Sequence, residues 1–252
     1  MRVFLTLWRR ELAAFFLSLT GYVIIAAVTL LTGLGFDLLM TALLNDSDPA
    51  SMPLTELFYD SYSFWVVLLL ITPVITMRLF ALEKFTGTFE TLMTTPVSDM
   101  QVVAAKFTAA VVFYMVTWLP MLACLYIVHR FTNQAHSMDL GTIGGTYLGI
   151  FLIGCLFLSL GCFASSLTRS QMAAAMVSFV MGVTLFSLGF LARAIDTSTQ
   201  WQSQVLSDFA LLDQMNDFAR GLVDTRVVIF YVTLTFLFLF LTLRVVESRR
   251  WK

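Results

Sequence analysis

Six long apolar runs decide most of what this chain can become. They cover roughly residues 15–40, 63–80, 102–128, 142–164, 172–192 and 227–246. Each reaches the ~17–25 residues that a helix needs to cross a bilayer. In hydrocarbon every backbone N–H and C=O must find its partner within the protein, so runs of this length are read as spanning helices. The expected fold is therefore all-α: a polytopic membrane protein with six transmembrane helices, taken as one membrane domain over residues 1–252. Composition agrees, since 12% of the residues are charged and 59% apolar, where a soluble domain averages about 25% and 45–50%. The formal net charge of −1 provides no basic field for a nucleic-acid partner.

The distribution of charge gives a direction. With six spans both termini share one side, and that side holds eleven of the fifteen Lys and Arg residues. Basic residues accumulate on the cytoplasmic side, so both termini are expected inside, with a bacterial inner membrane as the setting. At the start of the chain Phe4, Leu7, Trp8, Leu12 and Phe15 recur at helical spacing, while Arg2, Thr6, Arg9 and Arg10 lie off that stripe. This describes an amphipathic interfacial helix, or else the plain inner start of the first span. The apolar stretch after Arg9, Arg10 and Glu11 is too long for a cleavable signal, whose apolar core runs to about 7–15 residues.

Within the spans, Pro73 and Pro120 should kink their helices, with Thr72 and Thr117 near enough to satisfy the freed carbonyls. Gly141, Gly145 and Gly149 form one row of small residues, and Ala174, Ser178 and Gly182 form another. Such rows let helix backbones approach in lipid, either within the bundle or across a subunit interface. Cys124, Cys155 and Cys162 sit in apolar runs without metal-ligand spacing and read as small core residues. On the outer side, Val205, Phe209, Leu212, Met215, Phe218 and Leu222 recur at three or four, as expected of one or two amphipathic helices dipping into the outer leaflet before the last span.

The longest polar interruption on the inner side runs from 78 to 106. It carries Arg78, Glu83, Lys84, Glu90, Asp99 and Lys106, with Gly87 and Pro96 as breakers and Ser98 placed to cap the third span. Phe85, Phe89, Leu92 and Met93 are too apolar for a merely solvated loop, so the stretch is expected to meet a partner in water. No phosphate-cradling G-x-x-x-x-G-K-[ST] occurs, so the chain itself has no ATPase motif and is not expected to be an enzyme. His129 and His136 are the only histidines, and with Asp139 they make a weak metal set. The span centres lack ionisable groups, while Asp37, Arg78, Lys106 and Arg244 stand near span ends, within reach of the interface. This argues against ion-coupled transport and places any energy input in the 78–106 segment.

Three stretches carry a family likeness: WRRELAAFFLSLTGYVI at 8–24, RLFALEKFTGTFETLMTTPVSDMQVVAAKF at 78–107, and DQMNDFARGLVDTRVVIFYVTLTFLFLFLTLRVVESRRW at 213–251. Together with the six-span plan, the chain resembles the permease subunits of type-2 ABC transporters, and within them the branch of gliding-motility and nitrous-oxide-reductase-maturation permeases. The resemblance implies an ATP-driven exporter in which two permease subunits, alike or different, pair with two separate cytoplasmic ABC ATPase subunits. ATP and magnesium would sit on the ATPase, leaving this chain without cofactor or metal. The segment between spans two and three would be the coupling helix, with Glu83, Lys84, Gly87, Thr88, Glu90 and Pro96 coupling to the ATPase. Trp8, Arg9, Arg10 and Glu11 would belong to the interfacial helix beside it. One departure is that Leu82 and Phe85 stand where the family often has a further acid and a further base, which would make the grip more apolar. The alternative function is a non-transporting membrane scaffold that docks a cytoplasmic partner through the same loop. The cargo is not legible.

Overall fold

The computed structural model describes residues 2–45, 62–88, 98–132, 140–194 and 209–248. These residues form α1 (Arg2–Phe16), α2 (Leu19–Asn45), α3 (Tyr62–Thr76), α4 (Ala81–Thr86), α5 (Asp99–Thr117), α6 (Leu119–Thr132), α7 (Leu140–Leu167), α8 (Gln171–Ala194), α9 (Leu211–Ala219) and α10 (Thr225–Ser248). Among them there is no strand, and six helical stretches are long and apolar enough to cross a membrane. Those stretches are Leu19–Asp37, Ser63–Thr86, Asp99–Cys124, Gly141–Leu167, Gln171–Gly189 and Thr225–Ser248. A loop is expected from Asn45 to Tyr62; those two residues end and begin helices, and 46–61 lie outside the described residues.

The fourth span, in α7, is the axis of the bundle. It is 78% buried, against 22%, 22% and 17% for the first, fifth and sixth. Helices α3, α5, α8, α9 and α10 all pack on it. Small residues make this possible. A Cβ on Gly154 would lie 2.2 Å from the Tyr114 ring, so only glycine lets that ring seat against the backbone. The core around it is aromatic: Phe64 meets Trp65 at 5.2 Å and Trp118 at 5.2 Å, and Trp65 meets Phe186 at 4.8 Å. The three cysteines are free; Cys162 is a buried core residue as expected, whereas Cys124 and Cys155 are half-buried.

The helices break at three places, two of them beside the prolines expected to kink their spans. The first span does not run straight on from the interfacial helix, because the chain breaks at Leu17–Ser18. Ser18 caps the new helix, its Oγ accepting from Gly21 N at 3.1 Å. A side chain at Gly21 would collide with Phe15 O, at 1.9 Å, so the tight corner requires glycine. In the second span the helix ends three residues after Pro73 and resumes at Ala81. In the third it breaks at Trp118, and Pro120 stands in the first turn of α6, where a missing N–H costs nothing. Thr72 and Thr117 do not take the carbonyls the prolines free. Their hydroxyls donate to Leu68 O at 2.9 Å and Tyr114 O at 2.6 Å. The Val116 carbonyl left by Pro120 is instead met by the Trp118 N–H.

The glycine row is also accounted for within the chain. A Cβ on Gly145 would lie 2.5 Å from Phe218 O, and Gly149 abuts Met215 and Phe218. The row is thus the seat of α9, which buries Leu211, Gln214, Met215, Phe218 and Ala219. The amphipathic helix α9 turns its apolar face onto α7, where the outer leaflet had been expected. Leu222, expected on that face, is 61% exposed beyond its end.

Candidate functional site

At the opposite end of the bundle from α9, four charges from three elements converge. Glu83 lies on α4, Glu11 and Arg10 on α1, and Lys106 on α5. Lys106 Nζ donates to Glu83 Oε1 at 2.8 Å and to Glu11 Oε1 at 3.1 Å. Arg10 Nη2 donates to Glu11 Oε1 at 2.8 Å and to Glu83 Oε1 at 3.1 Å. Two acids and two bases therefore alternate around a closed square. Hydrogen bonding to Glu11, reinforced by the charges of Glu11 and Glu83, raises the Arg10 guanidinium above its ordinary value.

The four members are not equal. The Lys106 side chain is 3% exposed and Arg10's is 53%. A buried ammonium is tolerated only with its partners in place, and stripping one partner from such a pair costs about 3–5 kcal/mol. An exposed pair contributes about 0–1 kcal/mol. Lys106 is the hub of the square, and it also stands over the buried Phe80 ring at 5.6 Å. This corrects the expectation that Lys106 reaches out to the interface. It lies two turns into α5 among Val102, Val103, Ala105, Ala109 and Ala110, all buried. A charge so surrounded must pair inward. Its partners are 95 and 23 residues away, which is why local spacing did not disclose them.

Local structure sets Glu83 in place. The chain between α3 and α4 is capped from α7, where Ser165 Oγ accepts from Phe80 N at 3.1 Å and from Ala81 N at 3.1 Å. Lys84 Nζ donates to Ser166 O, one of the last carbonyls of α7, where cations are favoured by the helix dipole. Neither Ser165 nor Ser166 was among the expected site residues. Gly87 closes α4 in the left-handed region, φ +73°, and so ends the helix where the sequence placed a breaker. Thr88 follows, its hydroxyl 2.8 Å from that of Thr86. Phe85 is 76% exposed on the same short helix. Glu90 and Pro96 lie outside the described residues.

On α1 the expected stripe is found on the packed side. Phe15 is buried, and Leu7, Trp8 and Leu12 are half-buried against the core, while Arg9 and Arg10 are exposed. Its main neighbour is α5, with Phe15 stacked on Phe113 at 4.9 Å. The helix is therefore docked on the third span, and Glu11, 9% exposed, belongs to the buried square. Ser98 caps α5 as expected, accepting from Gln101 N at 3.4 Å. A cavity of about 550 Å³ opens beside the square, lined by Arg10, Glu11, Ala14, Phe15, Arg78, Leu79, Leu82, Glu83, Thr88 and Lys106. Among the described residues no three His, Cys, Asp or Glu side chains come together to hold a metal. The side chains of His129 and His136 are not among those described.

What the square can do is mechanical. One carboxylate oxygen of Glu83 ties α4 both to α1, through Arg10, and to the third span, through Lys106. A family model described as "ABC-2 family transporter protein" matches residues 12–185, from the end of α1 through most of the fifth span. No curated protein matches the chain significantly.

Proposed function

The chain belongs to the ABC-2 transporter family, and on that premise we propose that it is the membrane-spanning permease subunit of an ATP-driven exporter, driven by a separate cytoplasmic ATPase. The observation that carries this reading is the square of Arg10, Glu11, Glu83 and Lys106. It joins α4, which ends at Gly87 and exposes Phe85, to both α1 and the third span. A coupling helix needs that construction: an accessible tip for the motor and a firm root in the spans. Glu83, Lys84, Gly87 and Thr88 form the described part of the coupling segment, and Glu90 and Pro96 extend it. In this reading both termini and the 78–106 segment face the cytoplasm, as the basic excess favours. A second permease subunit, the same or different, completes the pathway, and the 78–107 stretch supports the gliding-motility and nitrous-oxide-reductase-maturation branch.

Two measurements test it. Purification in mild detergent should bring down a P-loop ATPase with the permease. In the reconstituted complex, Glu83→Ala should leave insertion intact, because Lys106 keeps Glu11, but should uncouple ATP hydrolysis from transport. Normal substrate-stimulated hydrolysis and transport in that variant would show that the coupling assignment is wrong.

A further inference from the structure

The cavity at the α1 end contains one cation that the square does not use. Arg10 and Lys106 are held by Glu11 and Glu83. Arg78, which lines the same cavity, donates to the neutral hydroxyl of Thr20. Among the described residues no carboxylate lies within ion-pair distance of it. The lining thus holds three cations against two carboxylates, each engaged through its Oε1, with Glu83 Oε2 buried and without a partner. Another part of the wall is apolar: Ala14, Phe15, Leu79 and Leu82. The volume of about 550 Å³ falls within the ~300–1,000 Å³ of small-ligand sites.

Its position narrows the ligand. The first span begins at Leu19, the second ends at Thr86 and the third begins at Asp99, so the cavity sits among the ends of three spans, where they would meet the headgroup region. Leu17 and Leu19, on the connection beside it, are 80% and 81% exposed, as suits residues bathed by acyl chains. A site at that level, with a guanidinium that no carboxylate among the described residues pairs and with an apolar wall, matches an anionic amphiphile. Basic pockets between spanning helices hold anionic lipid headgroups in this way, and guanidinium suits a phosphate because it can donate two parallel hydrogen bonds.

We propose that this cavity binds the headgroup of an anionic membrane phospholipid, its phosphate against Arg78 and its glycerol and upper acyl chain along Ala14, Phe15, Leu79 and Leu82. The site requires no ATPase and does not depend on the coupling role. The test uses the full-length protein in micelles doped with equal amounts of phosphatidylglycerol and phosphatidylcholine, with retained lipid read by native mass spectrometry. Wild type should retain phosphatidylglycerol preferentially. Arg78→Gln should cut that preference about fivefold. Leu82→Trp, which obstructs the apolar wall without changing charge, should weaken it. Soluble glycerophosphoglycerol at millimolar concentration should not displace the lipid. Equal retention of the two lipids by wild type overturns the proposal, as does a preference that survives both substitutions. Full displacement by the soluble phosphodiester would reassign the site to a free anion and overturn the lipid assignment.

Discussion

The two ends of the bundle solve one problem in opposite ways. Each has a short helix to fasten to a span. At the α9 end the fastening is steric: α9 lies in a groove that Gly145 and Gly149 leave on α7, held by close apolar contact with Met215 and Phe218. At the α1 end it is ionic: α4 and α1 are joined to the third span by the square around Lys106. Packed surfaces resist displacement in every direction, because interiors are close-packed and any shift opens a void or a clash. A square of charges holds its members by few, directional contacts and can exchange partners. On the proposed coupling, the α9 end would be the rigid end and the α1 end the one whose contacts rearrange.

Substitutions can break or sharpen that contrast. The largest effect is expected from Lys106→Ala, which leaves Glu11 and Glu83 facing each other with only Arg10 between them. Loss of a buried partner should destabilise the fold by about 3–5 kcal/mol, seen as a large drop in the thermal unfolding temperature in detergent. A small drop would mean that the square contributes little to holding this end together. Next comes Gly145→Val, where the nearest obstacle is the backbone oxygen of Phe218, which cannot swing away. About 1–3 kcal/mol should be lost, and cysteine crosslinking between α7 and α9 should report their separation. An unchanged crosslink would count against the steric fastening. Gly87→Ala forces a Cβ into the left-handed region at about 1 kcal/mol; it should impair coupling more than folding, and equal losses would erase the distinction between tip and root. The smallest effect is that of Arg10→Ala, about 0–1 kcal/mol, and it should fade as salt rises. A salt-independent loss would show that Arg10 acts by packing.

The same contrast governs what the sequence made legible. The spans were readable because apolar length is a local property, and the third-span cap because Ser98 directly precedes its helix. The glycine row announced close packing, though not its partner, since nothing in the row names α9. The square was only half readable. Glu83 stood out in a polar stretch, whereas Lys106 read as a span-end residue because its pairing with Glu11 joins positions 95 apart. Ser18 and Gly21 did signal the corner after α1, but a continuous apolar run masked them. Ser165 gave no signal at all. A serine near a helix end is common, and only the fold brings it to the break in the second span.

That serine has a consequence for how the chain can vary. The Ser165 hydroxyl serves two N–H groups of another helix and lies 3.4 Å from a third group, Met77 O. It does so only because α7 has the right number of residues between its glycine seat and its end. At 3.6 residues per turn, one residue added or removed along that stretch would swing the hydroxyl by about 100° and leave the break in the second span without its cap. The two spans are in this sense cut to a common length. Side chains along α7 can be exchanged for others of similar size, but its count of residues from Gly145 to Ser165 is tied to a discontinuity in a helix it is not part of.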